Sequence, residues 1–394
     1  MKWILCFFSL QLFSGNLQEL IRNAKPFEIV NVDSGVYREG MIVIDKPIIL
    51  KGIGRPVIDG SKQKNVIKIT SSNVTIEGFE IRASGYSDIA EYAGVRIENA
   101  NNCIVRNNIF KENVYSVYLA KAENCLIENN DIHTVSNREA TSGNGIHLWN
   151  SKNTKIVNNS IEGHRDGIYI EFSGDSWIKG NSVKHNIRYG LHFMYSHGNQ
   201  YIENIFSENQ TGVAVMYSKH VHMLKNRFEK SWGHASYGLL LKDITDSVIS
   251  GNVFFGNTVA VLLDAANRNR FYNNTLEKNG WALRILGNSE ENLFKRNQFI
   301  SNFFEVTTNS EKSTNDFKNN FWSTYRGYDL DKDNVGDQPF RPMKIFGLWV
   351  AKFPELVVLL GSPIVEFLEI AERVLPILTP INLLDSAPLI RRPS

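Results

Sequence analysis

Two short segments hold residues that could bind a soft metal ion. Residues 190–199 read Gly-Leu-His-Phe-Met-Tyr-Ser-His-Gly-Asn, and residues 212–222 read Gly-Val-Ala-Val-Met-Tyr-Ser-Lys-His-Val-His. The 394-residue chain has only six methionines and nine histidines, so the doubled Met-Tyr-Ser with flanking imidazoles is a concentration of scarce ligands. Thioether and imidazole donors together suit Cu(I) above other ions. Methionine more often fills gaps in a core or in an adaptable contact surface. The alternative to a metal site is therefore burial of these residues under a partner or under the chain's own tail.

What positions these residues is a repeat. Asparagines recur two residues before the closing apolar residue of phrases such as NCIVRNNIFKEN, NTKIVNNSI and NRFYNNTLEKN. They fall at Asn108, Asn130, Asn159, Asn181, Asn204, Asn226, Asn252, Asn274, Asn297 and Asn320, in steps of 22, 29, 22, 23, 22, 26, 22, 23 and 23. A fixed period of this size is the signature of a stacked-repeat fold. Apolar residues alternate within each repeat and Gly or Asn marks the bends, so the elements are short strands. The Leu-x-x-Leu-x-Leu frame of leucine-rich repeats is missing. The pattern predicts an all-β chain, a right-handed parallel β-helix with one coil per repeat, in which the asparagines stack as a hydrogen-bonded ladder.

The register also predicts which residues point outward. Strands begin fourteen residues before each ladder Asn, at Gly94, Ser116, Gly145, Gly167, Gly190, Gly212, Gly238 and Ala260. Side chains alternate along a strand, so one outward column should read Arg96, Tyr118, His147, Tyr169, His192, Ala214, Leu240, Leu262. The next should read Glu98, Ala120, Trp149, Glu171, Met194, Met216, Lys242, Asp264. Met194 and Met216 become vertical neighbours about 4.8 Å apart, with His192 beside Met194 on one exposed patch. The two long steps predict loops over residues 135–144 and 231–237, flanking these coils; repeat insertions often mark a binding face. The remaining histidines, at 133, 164, 185, 197, 220, 222 and 234, read as bend or outward residues, several of them solvated, and Met223 reads as core.

The ends differ from the middle. Residues 1–15 (MKWILCFFSLQLFSG) combine Lys2, an apolar run and small residues, the anatomy of a secretory signal. Export would leave Cys103 and Cys125 as one disulfide or as two buried thiols. LQELIRNA reads as a helical cap on the first coil, where an open sheet edge is a liability. Residues 16–322 are expected to form the capped β-helix and 323–394 a separate tail. In the tail, Asp329, Asp331, Asp333 and Asp337 alternate around Gly336 in the manner of a calcium loop, without the spacing or closing Glu of an EF-hand. The apolar stretch from Lys344 onward is broken by Pro354, Pro363, Pro376 and Pro380. It is too interrupted to span a bilayer and must bury its surface elsewhere. A formal charge of +2 without basic blocks argues against a nucleic-acid partner.

Taken together, GLHFMYSHGN…GVAVMYSK, YGLLLKD, GYDLDKDNVGDQPFRP and the SPIVEFLEIAERVLPILTPINLLDSAPLI ending resemble the NosD-type periplasmic proteins of nitrous-oxide-reductase maturation. The likeness runs over nearly the whole chain after the signal. It implies a non-enzymatic periplasmic protein that works with an ABC transporter made of a permease and an ATPase. It also implies a lipoprotein copper chaperone as donor, apo nitrous oxide reductase as acceptor, and assembly of a copper-sulfur centre as the task. The protein would be peripheral to the membrane, held through the permease. His192, Met194 and Met216 are the metal ligands that register and motif share, with His220 and His222 as further candidates; no catalytic residue is implied. Two rival classes remain. One is a carbohydrate-active enzyme, a uronate lyase or epimerase, for which Lys242, Asp243, Asp264 and Arg284 are the available acid, base and charge-neutralising groups, though no outward aromatic row is expected to continue along its groove. The other is a docking scaffold that binds no metal.

Overall fold

Each repeat folds into three short strands separated by tight bends, and each strand pairs in parallel with the strand three elements later. The coil Trp177–Lys179, Ser182–Lys184, Tyr189–Met194 pairs strand for strand with Gln200–Ile202, Ile205–Ser207, Thr211–Met216. This is the expected right-handed parallel β-helix, the hand that parallel crossover connections favour. The computed structural model describes residues 16–135, 138–310, 312–375 and 383–393; the signal expected over residues 1–15 lies outside them. The chain divides into two compact units between His164 and Arg165, and each is built from such coils.

The physical logic of a coil is in its alternation. Ile178, Val183, Leu191 and Phe193 point inward and are fully buried, while their strand neighbours face out. Aromatic rings stack along the interior, as in Phe206, Phe228 and Phe254, with centroids 5.6 and 4.6 Å apart. The asparagine ladder closes the polar side of the bends. In the second unit Asn181 donates its backbone N–H and its Nδ2 to Asn204 Oδ1, both at 2.9 Å. The pattern repeats through Asn226, Asn252, Asn274, Asn297 and Asn320. In the first unit it runs from Asn108 through Asn130 to Asn159. Buried backbone donors at the bends are thereby paired, as burial demands.

The strand-start column shows how tightly the coils stack. A Cβ on Gly190 would lie 2.6 Å from Gly212 O and 2.9 Å from Asn209 Nδ2. Gly190→Ala should therefore destabilise the second unit by about 2 kcal/mol through overpacking. A thermal or denaturant melt checks this; an unchanged midpoint would show that the coils can part. Later coils relax, and Ala260, Ala282 and finally Glu305 stand in the same column.

The first coil of the first unit and the last coil of the second are each covered. Helix α1 (Leu17–Asn23) buries Leu17 and Ile21, and Gln18 pairs with both backbone groups of Val43 on the first strand edge, at 2.7 and 3.0 Å. At the other end the last strand is Phe321–Trp322, and residues 383–393 return to it. Phe317 and Phe321 bridge in parallel to Asp385 and Leu389, as a further coil would. Asp385 takes the place of the next ladder residue. Its Oδ2 accepts from Asn320 N, Asn320 Nδ2 and Trp322 Nε1 at 3.0, 2.9 and 3.0 Å.

The segment in between forms α2 (Ile345–Lys352), a 3-10 turn (Pro354–Leu359) and α3 (Pro363–Val374). Phe346, Val350 and Val365 pack on Phe304. The outer side, with Phe353, Val358, Ile364, Phe367 and Ile370, is exposed. The tail thus divides its apolar surface between the β-helix and solvent.

Candidate functional site

The doubled Met-Tyr-Ser has a positional explanation. Ser173, Ser196 and Ser218 are buried rungs of their own: Ser173 N donates to Ser196 Oγ at 3.1 Å and Ser196 N to Ser218 Oγ at 3.0 Å. The residue before each serine makes the bend in the left-handed region, with φ of 47° at Phe172, 49° at Tyr195 and 50° at Tyr217. The residue before that ends the strand. Glu171, Met194, Met216 and Lys242 are in register there, so the two methionines are adjacent in one column. Both are part-buried.

His192 departs from the expected exposed patch. It is 5% exposed, because the Tyr169 ring stacks on it at 4.7 Å and the Tyr189 ring leans against it at 4.8 Å. The first outward column is in general covered: Tyr118, His147, Ala214 and Leu262 are buried as well. Alternation sets the direction of a side chain but not what lies above it.

Behind His192 stands Asp166, fully buried, which sequence reasoning missed. Arg188 holds it through Nε–Oδ1 and Nη2–Oδ2 contacts of 2.9 and 2.6 Å. Burial alone would push the Asp166 carboxyl up; the facing His192 and Arg188 more than offset this and hold it at about 2. His192 Nδ1 lies 3.5 Å from Asp166 Oδ2, within ion-pair reach but outside hydrogen-bond geometry. Both ring nitrogens are buried without a hydrogen-bond partner. In metal-binding histidines a carboxylate usually accepts a hydrogen bond from the imidazole nitrogen turned away from the metal; Asp166 stands on the Nδ1 side of His192 without making that bond. The clue in the sequence was the Asp-Gly step at Asp166-Gly167, a carboxylate immediately before a strand start.

The other candidates scatter. His222 lies on the first strand of its coil, paired with Gln200 and Val248, and His220 at the bend before it. Both are exposed, and neither shares the sheet of Met194 and Met216. His164 is no solvated bend residue: it is fully buried, and burial lowers its affinity for a proton to a value of about 3. Met223 is core, as expected. In the tail, carboxylate oxygens of Asp329, Asp331 and Asp333 come within 4.8 Å of one another. Asp337 stands apart from that group and accepts from Leu330 N at 2.8 Å.

One expectation about the enzyme class is overturned in detail. An outward aromatic row does exist: Phe172 stacks on Tyr195 at 5.3 Å and Tyr195 on Tyr217 at 4.9 Å, nearly parallel. The row sits on the left-handed bend residues, outside the two-residue alternation of the strands. Its rings cover each other's faces, so mainly edges remain for a ligand. A sugar platform needs open faces. Of the candidate acid-base groups, Lys242 and Asp264 are register neighbours. Asp264 accepts from Asn288 Nδ2 at 3.0 Å, and the Arg284 guanidinium lies over the Trp281 ring.

Residues 29–140 and 133–328 match the family described as periplasmic copper-binding protein (NosD). This chain belongs to the NosD family. It is 29% identical over 377 residues to a probable ABC transporter binding protein NosD of Pseudomonas aeruginosa, covering 90% of this chain and 86% of that one. A Stutzerimonas stutzeri protein of the same description is 27% identical over 376 residues, covering 90% and 85%. Among solved structures, the Dettilon tailspike protein aligns with a TM-score of 0.60 at 16% identity, over 75% of this chain and 65% of that one. An Azotobacter vinelandii mannuronan C-5 epimerase A-module aligns with a TM-score of 0.52 at 13% identity, over 73% and 90%. At such identities these two likenesses show the β-helix and nothing of its chemistry. The NosD family is periplasmic. Among the described residues no helix is long and apolar enough to cross a membrane.

Proposed function

We propose that this NosD-family chain carries Cu(I) as cargo between a lipoprotein copper chaperone and apo nitrous oxide reductase, for assembly of the copper-sulfur centre. It would do so without being an enzyme itself. The observation that carries the reading is His192, buried with unbonded ring nitrogens, backed by Asp166, on the strand that also bears Met194 beside Met216. In this role His192 supplies one imidazole nitrogen, oriented by Asp166 and by the rings of Tyr169 and Tyr189. Met194 and Met216 supply thioethers on flexible side chains that can follow an ion as it leaves. Glu171 and Lys242 flank them in the same column.

The test is anaerobic Cu(I) titration against a competing chelator. Met194→Leu with Met216→Leu should leave the fold intact and weaken Cu(I) binding at least tenfold, leaving the reductase short of copper. Undiminished binding and full metallation would reduce this face to a contact surface. The acidic loop is proposed as a calcium site only through Asp329, Asp331 and Asp333. Calcium titration with and without Asp331→Asn tests that separately, and no binding would remove it.

The exposed side of α2 and α3 is proposed as the surface that meets the permease, with the ATPase beyond it. Ile364 and Phe367 are exposed on α3 beside Val365 and Leu368, which belong to the apolar cluster that joins α2 and Phe304. Phe367→Glu with Ile364→Glu should keep the protein folded and abolish co-purification with the transporter; retained co-purification would refute the assignment. Cutting the chain after Trp322 cannot serve as this test, because it also removes Asp385.

A further inference from the structure

Beyond residue 15 the sequence contains two cysteines, Cys103 and Cys125. The structure places them on neighbouring coils of the first unit. Each immediately precedes the first strand of its coil; Ile104 and Leu126, the residues that follow, pair in register, and Leu126 N donates to Cys103 O at 2.9 Å. The residues before them, Asn102 and Asn124, share the left-handed bend, with φ of 56° and 55°. The two Cα–Cβ bonds therefore leave the backbone in the same direction. Successive coils of a parallel sheet stand about 4.8 Å apart, inside the roughly 4.4–6.8 Å window of disulfide-linked Cα atoms. Parallel Cα–Cβ bonds keep the Cβ atoms at about the same 4.8 Å, just beyond the roughly 3.5–4.5 Å of a disulfide, so bridging requires the two coils to close by about half an ångström.

The column they occupy gives cysteine no other task. In the second unit it is a hydrogen-bond ladder: Ser176 N donates to Asn199 Oδ1 at 3.0 Å, and Ser247 N to Asn269 Oδ1 at 3.1 Å. The two thiols instead make long contacts, 3.5 to 3.9 Å, to carbonyls of Ser71, Asn101, Ala100 and Glu123. Both are buried and free. The Cys125 S–H beside Cys103 eases loss of the first proton from the pair, and the second is pushed up by the thiolate so formed.

We propose that Cys103 and Cys125 form a disulfide that staples these two coils. The compartment of the NosD family favours it, since the periplasm is oxidising. In the reaction the two thiols lose two protons and two electrons and one S–S bond forms. The electrons pass to the disulfide of a periplasmic thiol oxidase, which becomes a dithiol. Because both sulfurs are sealed inside, the exchange belongs to the folding chain and not to the finished coil.

The test uses the full chain recovered from the periplasm without reductant. After denaturation in excess maleimide, neither cysteine should be alkylated, and digestion should yield one peptide pair joined through Cys103 and Cys125. The denaturant midpoint should fall when reductant is present throughout unfolding, while Cys103→Ala with Cys125→Ala should be insensitive to reductant. Two alkylated cysteines in the unreduced protein would overturn the proposal. So would a midpoint indifferent to reductant in the wild type, or Cu(I) held by the two thiols.

Discussion

Asp385→Ala should cost the second unit about 3–5 kcal/mol, the range for leaving strong buried donors without their charged acceptor. The reason lies in the direction of the ladder. Each asparagine accepts from the coil before it and donates to the coil after it, so a finished ladder leaves its donors bare at the C-terminal end. That end resembles a helix N-terminus, where unpaired N–H groups favour an anion. Here Asn320 N and Nδ2, joined by Trp322 Nε1, converge on one carboxylate oxygen of Asp385. Asp385→Asn keeps an acceptor but loses the charge, and its amide would face Ala387 N, which now donates to Oδ1 at 3.1 Å. It should cost about 1–2 kcal/mol. Urea denaturation followed by tryptophan fluorescence reads both, since Trp322 is itself a reporter at the site. Equal stability of the alanine variant and the wild type would mean that the surrogate coil contributes nothing.

Glu305→Gln should make the protein more stable at pH 8 and flatten its stability between pH 4.5 and 8. Glu305 is 4% exposed, in the column that other coils give to glycine, alanine or serine, and burial pushes its carboxyl up to about 7. Asn302 Nδ2 at 3.2 Å, Thr324 Oγ1 at 3.5 Å and the charge of Lys344 resist that shift without cancelling it. A carboxyl whose folded value lies above its unfolded value of ~4.3 binds its proton more tightly in the folded state. Its contribution is fully present below the unfolded value and is lost as pH rises toward the folded value near 7. The loss should amount to about 3 kcal/mol. Glutamine can accept the same hydrogen bonds at every pH and carries no charge to desolvate. Denaturation midpoints of both proteins from pH 4.5 to 8 measure this. Parallel curves would show that Glu305 does not govern the pH dependence.

Much of the architecture was legible because a β-helix is a one-dimensional problem. A period of 22 or 23 residues, a strand alternation of two and an asparagine at each bend determine the coil, the ladder and which residues are vertical neighbours. The pairing of Met194 with Met216 follows from counting alone. So does the inward place of Met223. The buried state of His192 does not, because it depends on the rings of Tyr169 and Tyr189 closing over a column that alternation can only call outward. Asp166 was hidden for a related reason: it precedes the strand, and only the fold turns its carboxylate back toward an imidazole one coil away. The aromatic stack of Phe172, Tyr195 and Tyr217 sits on bend residues, where a two-residue period has no meaning. Asp385 lies 65 residues beyond Asn320, outside any repeat, and nothing local marks it as the last rung. The periodic contacts can be read from the residue order, since each is set by backbone geometry between adjacent coils. What covers an outward column depends on which neighbouring rings lie over it, and what ends the ladder depends on a segment that returns from outside the period; neither is set by the repeat.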